Sequence, residues 1–90
     1  MRYVTRYRIR EENMTAAIER FMTGGPEMPD GVTMVHRWHE LGTGRGFAVL
    51  DSDDPVAVTQ YMIQWSDLVD QTIHPVVDDE GMGAALGALQ

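Results

Sequence analysis

The sequence predicts an α+β fold in which one four-stranded antiparallel sheet carries two helices on a single face. Three observations support this. Polar and apolar residues alternate near positions 2–10, 32–41, 45–51 and 69–77, as in half-buried strands. Two stretches between them, starting near 14 and 55, instead repeat their apolar residues at helical spacing. Only a short glycine-containing segment separates the second alternation from the third, which is too little chain for anything but a hairpin.

In the first alternation Tyr3, Thr5, Tyr7 and Ile9 oppose Arg2, Val4, Arg6, Arg8 and Arg10. Met14, Ala17, Ile18, Phe21 and Met22 then form one helical stripe, with Asn13 placed to cap it and Gly24-Gly25-Pro26 to end it. The second strand spans Val32–Leu41, and Gly42-Thr43-Gly44 turns it onto a third at Arg45–Asp51. Asp54 and Pro55 make a helix start, where proline's missing donor costs nothing, and Val58, Tyr61, Met62 and Trp65 continue the stripe. A fourth strand runs over Val69–Val77. The acidic tail 78–90 has helical spacing at Met82, Ala85, Leu86 and Leu89, but Gly81, Gly83 and Gly87 weaken it, so a short, weakly held helix is expected.

The order βαββαβ is the ferredoxin-like arrangement, with strand order 4-1-3-2 and a single unit over residues 1–90. Both helices then cover the same side of the sheet. The other side is expected to be covered by a second copy, in a homodimer packed sheet to sheet.

Charge narrows the possible partners. The chain has a formal net charge of −7, with every basic residue an arginine within positions 1–45 and eight acids but no base in 46–90. Nucleic-acid binding draws on a surplus of positive charge, and anionic membranes repel this balance, so neither is expected as a partner. Cysteine is absent, which removes thiolate metal sites and cysteine nucleophiles. No apolar run reaches the length of a signal-peptide core or membrane span, and a cytoplasmic location is the expectation.

The histidines do not read as a metal centre. His36 and His39 lie three apart on a strand and so point to opposite faces, and a site from His39, His74 and Asp70 would need geometry that spacing alone does not supply. Neither a metal nor a cofactor is expected. Ser52 and Ser66 lack a nucleophile-elbow context, and Gly42-Thr43-Gly44 lacks the spacing of a phosphate loop. Trp38, Trp65 and the methionines read as ordinary core.

Assembling the alternations places Tyr3, Tyr7, Ile9, Val32, Met34, Trp38, Phe47, Val49, Ile73 and Val77 on the helix-covered face as core. Arg6, Arg8, Thr33, Arg37, His39, Ala48, Leu50, Asp70, Thr72 and His74 fall on the opposite face, a polar lumen shared with the partner. The expected ligand there is a small anionic or carbonyl-bearing molecule bound by Arg6, Arg8, Arg37, Asp70 and His74, because guanidinium forks match carboxylates. His39, which titrates near neutrality, is the candidate general acid or base for a cofactor-independent monooxygenase or an isomerase. Structural ion pairs, such as Asp70 with Arg6 or Arg8, account for the same residues in a purely structural interaction module.

Arg37-Trp38-His39 and Trp65-Ser66-Asp67-Leu68 also carry a resemblance. With Met1-Arg2-Tyr3, Gly46-Phe47, Asp53-Asp54-Pro55 and Pro75-Val76, they make nearly the whole chain similar to the domain of unknown function 3303 family, from which His36 departs. The resemblance implies a dimeric α+β barrel of ferredoxin-like fold and brings no established activity or catalytic residue. That fold superfamily includes small monooxygenases, haem-degrading enzymes, isomerases and stress-response proteins. A shared fold does not by itself transfer function.

Overall fold

Local sequence signals set most element boundaries in the computed structural model, which covers residues 1–90. Strand β1 spans Arg2–Ile9 and leads through a 3-10 turn at Glu11–Asn13 into helix α1, Met14–Met22. Strands β2 (Thr33–His39) and β3 (Arg45–Asp51) form the hairpin, with Gly42 and Gly44 at positive φ in its turn. Helix α2 (Pro55–Ile63), strand β4 (Val69–Val76) and helix α3 (Asp79–Gly87) complete the chain. The Asp54 carboxylate accepts from the Val56 N–H at 3.0 Å, capping α2, and Asp78 likewise accepts from Gly81 N–H at 2.8 Å. Asn13 precedes α1 without capping it; its side-chain amide donates instead to the Asp67 and Leu68 carbonyls.

The four strands form one antiparallel sheet in the order β2-β3-β1-β4, the ferredoxin-like arrangement. No helix is long and apolar enough to cross a membrane.

Two features of the sheet reverse part of the expected face assignment. Along β2, Met34 pairs with Leu50 and His36 with Val49, so Val35 is an extra residue, a β-bulge. Because side chains alternate with period two, that one residue turns over everything after it. Arg37 and His39 therefore join the helix-covered face opposite Ala48 and Gly46, while Trp38 stands on the open face opposite Phe47. Trp38 is 45% exposed and stacks on Phe47, so it is not core.

The second reversal is in β3, whose uninterrupted apolar run from Phe47 to Leu50 carries no alternation to read. Leu50 and Ala48 face the helices and are fully buried, whereas Phe47 and Val49 face outward. Packing decides this phase. Tyr7 lies across Gly46, and a Cβ there would sit 2.6 Å from its ring and closer still to the Trp38 carbonyl.

The helix-covered side has two separate cores. Under α2, Val32, Leu50, Ala57, Val58 and Tyr61 pack together; under α1, Ala17 meets Leu68 and Val69. Arginines bridge α1 to the turn after α2. Arg20 forms a bidentate pair with Asp67 at 2.8 Å and donates to the Gln64 carbonyl, and Arg10 reaches the Asp67 carbonyl and Asp70. The Arg20 guanidinium holds the Asp67 carboxyl below the usual carboxylate range.

Gly46→Ala therefore forces the Tyr7 ring or the β2 backbone to move, and a loss of about 1–3 kcal/mol is expected from overpacking. Urea unfolding monitored by circular dichroism measures it, and an unchanged midpoint would show that Tyr7 is not held there.

Candidate functional site

Helix α1 does not seal against the sheet. Only Ala17 of its apolar stripe is buried, while Ile18 and Phe21 remain about half exposed, at 48% and 47%. The gap between the two cores is a cavity of about 310 Å³. Its walls are mostly apolar, from Met14, Ile18 and Phe21 of α1, Trp65 after α2, and Ile9 and Val69 of the sheet. Its polar side chains are Thr5 and Tyr7 on β1, Arg37 and His39 on β2, Gln71 on β4, and Glu40 and Arg45 at the hairpin end.

The register explains why these side chains converge. Tyr7 lies opposite both Gly46 and Gln71, and Gly46 in turn lies opposite His39. With no side chain at Gly46, the Tyr7 phenol reaches across β3 and hydrogen-bonds His39 Nδ1. Phe21 packs its ring edge-on to the imidazole at 5.2 Å between centroids and meets the Arg37 guanidinium at 4.9 Å. Gln71 is fixed by donating its amide to the Met62 carbonyl.

Arg37 forms no ion pair at this floor, although the Glu40 carboxylate lines the same cavity. Arg2, Arg8, Arg10 and Arg20 each have a carboxylate partner within 4.0 Å, whereas Arg37, like Arg6 and Arg45, has none. Burial pushes the His39 imidazole below its ordinary pKa, and the Arg37 charge adds to the effect. Burial raises the Tyr7 phenol, with Arg37 opposing, and Tyr61 behaves in the same way. At neutral pH the floor therefore holds a neutral imidazole, a protonated phenol and a cation. With the phenol donating to Nδ1, Nε2–H is a hydrogen-bond donor; with Nδ1–H donating to the phenol oxygen, Nε2 is a base.

The six residues singled out from the sequence do not form one site. Arg37 and His39 line the cavity, beneath the helices and not between the sheet and a second copy. Arg6, Arg8, Asp70 and His74 lie across the sheet on its open face. There Arg8 stands opposite Asp70 in the ladder and binds it at 3.0 Å, as the alternation implied, and Arg10 shares the carboxylate at 2.7 Å. Together they hold the Asp70 carboxyl below its usual range, the Arg10 hydrogen bond first. Arg6 is opposite Thr72 and lies over the Phe47 ring. His74 is opposite Val4, and His36 and His39 point to opposite sides of the sheet.

Tyr7, Phe21 and Gln71 were not singled out from the sequence. Tyr7 was assigned to the core, and its signal was Gly46, a glycine in mid-strand that marks close approach of another group.

The residues of the two longest shared motifs now have structural places. Arg37 and His39 line the cavity, Trp65 closes its side, and Asp67 takes the arginine bridges that set α1. No curated protein matches this chain. A family model described as Domain of unknown function (DUF3303) matches residues 1–90, and the chain belongs to that family.

Proposed function

We propose that the cavity binds a small organic molecule with an apolar body and an anionic or carbonyl oxygen, and that the chain works as a homodimer joined through its open sheet face. The observation that carries the ligand reading is Arg37, a cation without a carboxylate partner at the floor of a largely apolar cavity. Arg37 keeps solvent on one side, so its donors are free, and a ligand oxygen at the cavity floor would satisfy the guanidinium fork. The Nε2–H tautomer of His39 supplies a second donor, and the aromatic and methionine walls suit a flat or branched apolar body.

The Tyr7–His39 hydrogen bond favours a second reading, proton transfer. A ligand carbon or hydroxyl bearing an acidic proton would give it to Nε2, while Nδ1–H remains held by the phenol oxygen and Arg37 steadies the oxyanion left behind. Isomerisation and cofactor-independent oxygenation both begin with that step.

The homodimer reading is supported by surface. The chain exposes 6457 Å², about a fifth more than the roughly 5300 Å² expected of a compact protein of its mass. Only 12 of its 90 residues are buried, and Val4, Val49, Phe47 and Trp38 form a contiguous apolar band across the open face.

Three experiments test these readings. Thermal-shift screening of small carboxylates and phenols, followed by calorimetry, should find ligands whose affinity falls about 10–100-fold in Arg37→Gln, the weight of a charged hydrogen-bond pair. No binder, or equal affinity in the variant, would sink the ligand reading.

The His39 titration by NMR should have its midpoint below that of an unfolded-chain histidine, and Arg37→Gln should move it upward. Because the folded value is the lower one, this group's share of stability is complete above the unfolded midpoint and is lost as pH falls below it. A midpoint indifferent to Arg37 would separate the two groups.

Val49→Asp, half-buried in one copy but central in the proposed interface, should weaken the dimer at least 100-fold by sedimentation, since it would bury an unpaired charge. An unaltered dimer would place the interface elsewhere.

A further inference from the structure

We infer that α3 is an arm that docks on a second copy of the chain, with the partner's arginines Arg6, Arg8 and Arg45 receiving its acidic start and the partner's β2–β3 hairpin receiving its apolar stripe. The inference rests on the homodimer reading and goes beyond it by assigning the arm's landing place.

Helix α3 lacks support from its own chain. None of its residues is buried, and Met82, Leu86 and Leu89 are 52%, 55% and 83% exposed along one side. The molecule is correspondingly drawn out. Its radius of gyration is 15.1 Å, against about 12 Å for a compact chain of this length, and its longest dimension is 52 Å. A nine-residue helix containing Gly81, Gly83 and Gly87 falls below the length at which isolated helices persist, so its apolar stripe has to be covered for it to stay helical.

Charge identifies what covers it. The arm opens with Asp78, Asp79 and Glu80; Asp78 lies near Arg2 of its own chain, and no basic residue follows position 45 to answer the other two. The open sheet face has the opposite imbalance at one end. Arg8 stands directly opposite Arg45 in the β1–β3 ladder, an unfavourable pairing of like charges. Arg8 shares Asp70 with Arg10, whereas Arg6 and Arg45 have no carboxylate partner.

The arm of the same chain cannot supply the missing charge. It leaves the sheet where Val76 pairs with Arg2, about 20 Å along β1 from Arg8 at strand spacing. In a sheet-to-sheet dimer whose twofold axis runs across the strands, the two ends are exchanged. The acidic start of each arm then lies over the arginine end of the other copy, twice by symmetry. The adjoining hairpin presents Leu41, 97% exposed, to the stripe of Met82, Leu86 and Leu89.

The test is charge reversal in the full-length chain, read as the dimer dissociation constant by sedimentation. Arg45→Glu and Glu80→Arg should each weaken the dimer about tenfold, with smaller effects at high salt, and the combined variant should return to within about twofold of the starting protein. Leu86→Lys should weaken it as well, and all of these positions are exposed, so folding is retained. Single variants without effect, or a combined variant no tighter than either single one, overturn the arm. If Val49→Asp dissociates the dimer while Glu80→Arg does not, the open-face dimer stands and only the arm falls. A full-length chain that remains monomeric at 100 μM or so overturns both.

Discussion

The extra residue Val35 in β2 is the constraint on which the rest of the structure depends. Before it the strand is in the phase that sends Val32 and Met34 under the helices. After it the opposite set of side chains turns inward. Arg37 and His39 consequently point to the helix-covered side and line the cavity, and Trp38 is turned out beside Phe47. Without the bulge the cavity floor would be tryptophan and His36, and the guanidinium would lie in open solvent. Bulges recur near binding sites because they re-aim a side chain without changing the strand pairing around it.

The cavity also needs α1 to stay clear of the sheet, and ion pairs at the edge of the fold hold it there. Arg20 and Arg10 bind the carboxylate and carbonyls of the turn after α2, so α1 is anchored through that turn more than by its own stripe, of which only Ala17 is buried. Exposed ion pairs of this sort are individually weak, but several converging on one turn fix a position. The cost is apolar surface on Ile18 and Phe21 left uncovered, which is the surface a ligand would take up.

The element order, the strand order, the hairpin and the Asp54 cap were legible in the sequence because each follows from local chemistry or strict periodicity. So was a pair between Asp70 and either Arg6 or Arg8, since alternation on two neighbouring strands sets which residues share a face; the register that selects Arg8 was not. The site was half legible. Arg37 and His39 were identifiable as chemistry-bearing residues, but their face was not, because a one-residue insertion is defined by the partner strand and leaves no mark in β2 itself. The phase of β3 was hidden for another reason: Phe47-Ala48-Val49-Leu50 is apolar on both sides, and the choice is made by Tyr7 needing the space above Gly46. The histidine and the phenol that meet there are 32 residues apart in sequence, too far for any local pattern to join them.

The chain's two indoles lie on opposite sides of the sheet. Trp65 lines the cavity close to the Arg20 guanidinium, whereas Trp38 lies on the uncovered side against Phe47. Each side therefore has its own built-in fluorophore. Replacing one tryptophan at a time separates the optical signal of events in the cavity from that of events on the uncovered side, with no label attached to the protein.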